Sequence, residues 1–137
     1  MNTHPYLRAY MAGIVVPTVF LLVIFTFFCV ARFVYDVPVP IERVIVFPMA
    51  LVPNLWGLWN MLYLSLHSHR RLPLGIHGAL IPLWAVPVGL AFARGLDFAI
   101  PHFFPTMLAI TLPALLVIYY LVWKYLVGFL NELLGIA

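Results

Sequence analysis

Charge is what this chain has least of: Asp, Glu, Lys and Arg make up 8% of its 137 residues, where soluble domains carry about 25%. So few ions cannot cover a water-facing surface for a domain of this size, so lipid must supply the solvent for much of it. The charges present also avoid the middle of every apolar run. That removes the intramembrane ionisable group on which ion-coupled transport usually depends. Acids are the scarcest: Asp36, Glu42, Asp97 and Glu132 are scattered over connections and tail. No paired-carboxylate site can be assembled from them, and none is placed to orient Ser65 or Ser68 against a neighbouring histidine for nucleophilic catalysis. The chain reads as a non-enzyme.

Cysteine is nearly absent as well. Cys29 has no partner in the chain, so an intrachain disulfide is excluded. The preceding Phe27-Phe28 pair offers none of the small residues of a lipoprotein cleavage site. There is no basic tract and no aromatic-basic interleaving of the kind that marks a nucleic-acid binder.

What the chain does have is apolar length. Hydrophobic residues make up 66% of it and the mean hydropathy is +1.11. Four runs, about residues 11–31, 44–66, 78–96 and 106–128, match the roughly 20 residues a helix needs to span a bilayer. The first is longer than the apolar core of a signal peptide and lacks a small-x-small cleavage site, so it reads as a retained span. Within lipid the backbone must bond internally, and the ~10-residue alternation of a transmembrane barrel is missing. The expected fold is therefore an all-α membrane protein: one domain over residues 1–137, with four transmembrane helices in an up-down bundle joined by short connections.

Prolines punctuate these runs. Pro17 is expected to bend the first span mildly, Pro48 to be tolerated near the start of the second, and Pro53 to kink it. Pro38 and Pro40 break any helix in the first connection, where Arg32 and Asp36 lie four apart. The tail Phe129–Ala137 is apolar apart from Asn131 and Glu132, and reads as an interfacial segment or one that packs on a neighbour.

Four spans put both termini and the second connection on one side. That side holds Arg8, Arg70, Arg71 and Lys124, against Arg32, Arg43 and Arg94 on the other. The positive-inside rule then places both termini in the cytoplasm, in a bacterial inner membrane. Lys124 stands in an aromatic belt of Tyr119, Tyr120, Trp123 and Tyr125, where its ammonium is expected to snorkel to the interface.

The second span carries the densest chemistry. On a helix, Trp56, Trp59, Asn60, Tyr63 and His67 fall at i, i+3, i+4, i+7 and i+11, which is one stripe. One reading is a groove for a flat or amphipathic molecule such as a lipid, quinone or pigment. The other is a helix-helix contact with Asn60 as polar glue, which is routine at membrane seams. Asn54, nearer the midplane, caps a neighbouring carbonyl or the gap left by a proline. His67, His69 and His77 flank one turn with His4 on the same side, but the turn has no acid and Arg70 and Arg71 would repel a cation, so no metal site is assigned. Arg70 and Arg71 suit anionic lipid head groups.

Taken together, the residues point to a small non-enzymatic integral membrane subunit. Its partners would be the bilayer and other membrane subunits or itself, with a lipid, quinone or pigment held along the second span. The alternative is a small homo-oligomeric transporter or pore for a neutral or weakly polar solute, lined by the proline-bearing spans.

Overall fold

Long apolar runs with few charges satisfy their backbone polar groups internally by forming helices, and the described residues do so. The structure is a computed structural model that describes residues 4–67 and 72–136, and no strand occurs among the described residues. Arg70 and Arg71, with Ser68 and His69, lie outside the described residues. Four helices are long and apolar enough to cross a membrane: α1 (Pro5–Val34), α2 (Ile41–His67), α3 (Leu74–Gly95) and α4 (Phe104–Leu133).

The helices overrun the apolar runs that announce them. α1 and α4 have 30 residues each, which is about 45 Å of helix against about 30 Å of hydrocarbon. α1 starts early because Pro5 sits in its first turn, where the missing N–H is not needed. α4 continues through the expected tail to Leu133 and closes in a Schellman turn. There Gly135, at φ 65°, sends its N–H to Glu132 O while Ile136 N–H bonds Asn131 O. α3 ends in the same way with Asp97 at φ 56°, the Phe98 N–H reaching Ala93 O.

α2 departs from expectation. The break falls at Phe47, whose backbone is extended (φ −141°, ψ 123°), rather than at Pro53. Steric conflict with a following proline keeps residue 47 out of the helical region. A regular helix then restarts at Leu51, so Pro53 falls in a new first turn, where its missing donor does no harm. The first connection also differs. Asp36 turns into the left-handed region at φ 53°, and Arg32 bonds Val39 O at 2.8 Å and Glu42 Oε2 at 3.3 Å instead of pairing with Asp36.

Hydroxyls within the spans are silenced locally. Thr18 donates to Ile14 O, Thr26 to Leu22 O and Thr111 to Met107 O, each four residues back. This pattern satisfies a hydroxyl in lipid without any partner helix.

The chain divides into two compact units, Met1–Ser65 with Leu130–Ala137, and Leu66–Phe129. In the first, α1 and α2 run antiparallel and touch backbone to backbone. A Cβ added at Gly13 would stand 2.6 Å from Trp56 O and 2.8 Å from the Gly57 Cα. In the second, α3 and α4 pack glycine against aromatic: Gly75 lies under the Tyr120 ring, and a Cβ at Gly78 would overlap Trp123. Glycine at these points lets the helices approach closely, which is the usual route to packing where lipid offers no hydrophobic drive.

Candidate functional site

The site is built where three segments of the first unit converge. The stripe on α2 is graded from inside to outside: Trp56 and Asn60 are buried, Trp59 and Tyr63 half-buried, and His67 exposed. Leu58 and Leu62, on another face, are exposed. The stripe's centre is Asn60, 0% exposed.

Its amide is fully engaged. Asn60 Nδ2 donates to Ala9 O on α1 at 2.7 Å and to Asn131 Oδ1 on α4 at 2.8 Å. In return Asn131 Nδ2 donates to Asn60 Oδ1 at 3.3 Å, and Asn131 is itself 2% exposed. Each asparagine amide carries two donor hydrogens and a carbonyl acceptor. Both Asn60 hydrogens are therefore used, on a backbone carbonyl and on the reciprocal amide. The helix ends around this clasp are tied by Arg8, which donates from Nη1 to Leu134 O at 2.9 Å. Leu134 sits at the C-terminal end of α4, where an open carbonyl and the helix dipole both favour a cation.

A second polar group lies further down α2. The Tyr10 hydroxyl donates to Asn54 Oδ1, and Asn54 Nδ2 donates to Ala50 O at 2.6 Å. Asn54 thus caps a carbonyl just below the restart of the helix, and its side chain stays exposed. The Tyr10 ring reaches it by lying across Gly57, where a Cβ would meet ring carbons at 2.5 Å.

The remaining candidates are separate from this cluster in chemistry. His77 does not sit at the mouth of a span: α3 begins at Leu74, and the imidazole one turn inside it is 3% exposed. Lys124 is exposed, with its ammonium 5.8 Å from the Tyr120 ring centre and 5.1 Å from that of Tyr125. That is within cation–π range and suits an interfacial anchor. Among the described residues, no three His, Cys, Asp or Glu side chains gather in one place. A hollow at the first connection is lined by Arg32, Asp36, Val37, Pro38, Val39 and Pro40, with Arg32 already bonded to Val39 O across it.

Sequence reasoning missed Asn131, Ala9 and Arg8. Asn131 was hidden in what reads as a tail. Ala9 and Gly13 form a small-x3-small pair on α1, which is the recognised signal of close helix approach in membranes and was legible. Comparison with known proteins finds no matching family, no matching characterised protein and no matching solved structure.

Proposed function

We propose that the chain is a small, non-enzymatic integral membrane subunit that packs into a larger membrane complex or against itself. Its four spans would follow an up-down order in a bacterial inner membrane, with both termini cytoplasmic. The observation that carries this reading is the state of α1. Its buried residues, Ala9, Ala12, Gly13 and Pro17, all fall in its first half. From Thr18 onward no residue of α1 is buried, and Phe20, Phe27 and Phe33 are exposed. Bulky apolar faces of this extent suit packing and lipid contact. Arg8 and Arg32 add support, because they stand about 36 Å apart along α1, one near each edge of a bilayer's apolar layer.

A lipid, quinone or pigment held along the second span would meet Trp59 and Tyr63, since the Asn60 amide is occupied within the chain. Arg70 and Arg71 are the residues proposed to meet anionic head groups.

Purification from native membranes in mild detergent tests the reading. Co-purifying membrane subunits, a homo-oligomer or a stoichiometric small molecule is the expected result. An isolated, ligand-free monomer would overturn it.

A further inference from the structure

An exposed amide inside an apolar span needs an explanation, because hydrocarbon satisfies none of its hydrogens. Asn54 lies midway along the run 44–66 and is exposed. Its Oδ1 accepts from Tyr10 and one Nδ2 hydrogen goes to Ala50 O. The amide has a second N–H and a second lone pair, and among the described residues neither has a partner. Leu58 and Leu62 continue from Asn54 at four-residue steps, 54% and 41% exposed. Asn54, Leu58 and Leu62 therefore make one ridge of the i, i+4 kind that packs into the groove of a neighbouring helix. The foot of the ridge touches α1 through the Tyr10 bond to Asn54. The close backbone crossing at Gly13 is made instead by Trp56 and Gly57, and Leu58 and Leu62 climb from Asn54 as exposed side chains.

We propose that this ridge is the contact between two copies of the chain, with the two Asn54 amides bonded reciprocally across a two-fold axis normal to the membrane. The inference rests on the reading of the chain as a packing subunit, and it names the partner. Two copies in one membrane share an orientation, and a two-fold axis then sets residue i opposite its own counterpart. A group facing itself must be both donor and acceptor. An amide meets its own copy with two bonds and a hydroxyl with only one, whereas an ammonium or a carboxylate would repel its like. The chain already builds this pair internally, in the mutual bonding of Asn60 and Asn131. Lipid tails, the other occupant, would leave the N–H without an acceptor. The flanking leucines supply the packing, and the single amide fixes the register, the role asparagine plays in a coiled-coil seam.

Cysteine crosslinking in lipid vesicles tests this, on a Cys29→Ser background. Leu58→Cys should form a disulfide-linked homodimer under mild oxidation at high lipid excess. Phe27→Cys, 67% exposed on α1, should not. Asn54→Leu should weaken dimerisation about eightfold, the loss of two interhelical amide bonds at about 0.6 kcal/mol each. Asn54→Gln, which keeps a self-complementary amide, should retain most of the dimer. Tyr10→Phe removes the internal donor to Asn54 Oδ1 without touching the amide, and should leave the dimer intact. It also reports on whether loss of the α1 bond alone disturbs the fold. Equal crosslinking at positions 27 and 58, or a dimer indifferent to Asn54→Leu, would overturn the inference. A wild-type chain that captures a different membrane subunit but never crosslinks to itself would sink the two-fold contact and leave the packing-subunit reading standing. A ligand-free monomer would sink both.

Discussion

At the scale of single residues, the question is what a buried amide does when both of its hydrogens are already taken. Asn60 joins α1, α2 and α4 through Ala9 O and Asn131. Asn60→Leu removes all three bonds and leaves the Asn131 amide buried without its partner. At the membrane average of about 0.6 kcal/mol per bond, the loss is roughly 2 kcal/mol. Asn131→Leu spares the bond to Ala9 O and should fall somewhat below that. The double variant, with leucine at both positions, should be less destabilised than the two single losses added together, because no orphaned amide remains. Thermal or denaturant unfolding in detergent measures all three. Strict additivity would mean the two amides do not act as a pair. Half of this clasp was legible: Trp56, Asn60 and Tyr63 share a face by spacing alone. Asn131 was not, because its partner is 71 residues away and nothing local distinguishes a helix's last turn from an apolar tail.

At the scale of elements, close approach and interruption decide the architecture. The α1–α2 crossing depends on glycine at a point where the neighbour is backbone and cannot move aside. Gly13→Ala would bring a methyl within 2.6 Å of Trp56 O, and overpacking of this kind typically costs about 1–3 kcal/mol. Gly95→Ala is the matched control, since a Cβ there meets nothing within 4 Å. Limited proteolysis and thermal unfolding should show Gly13→Ala destabilised and Gly95→Ala unchanged or slightly improved. The converse order would place the crossing elsewhere. The four helices themselves follow from composition and run length, which is why their number and class were readable. Their ends were less so. Whether Pro48 or Pro53 interrupts α2 depends on where the helix restarts, and the residue before Pro48 decides that through its own steric conflict. Once the restart falls at Leu51, Pro53 is harmless. Likewise Arg32 had two acids within reach of its sequence position, Asp36 and Glu42. The left-handed turn at Asp36 directs the chain so that Glu42 takes the bond.

At the scale of the whole molecule, the first turn of α1 is fastened to the C-terminal end of α4. Arg8 and Leu134 are bonded across 126 residues of chain, and Asn131 lies in the clasp with Ala9 and Asn60. Both contacts draw on the last turns of α4, so the final residues belong to the fold of the first unit and are not a free tail. Gly135 makes the arrangement possible, because a left-handed residue is needed to close α4 so that Ile136 can reach back to Asn131 O. Truncation after Phe129 should therefore act at the opposite end of the sequence. It removes the acceptor for Arg8 and the partner of Asn60, and should raise protease sensitivity in the first turns of α1 while leaving the α3–α4 pairing through Gly75 and Gly78 intact. The geometry also fixes a topological expectation: peptide tags at the two termini should be accessible from one and the same face of sealed membrane vesicles. Tags that label from opposite faces would be incompatible with the Arg8 and Asn131 contacts. A truncated chain whose α1 is as protected as before would show that those contacts contribute nothing to holding the first unit together.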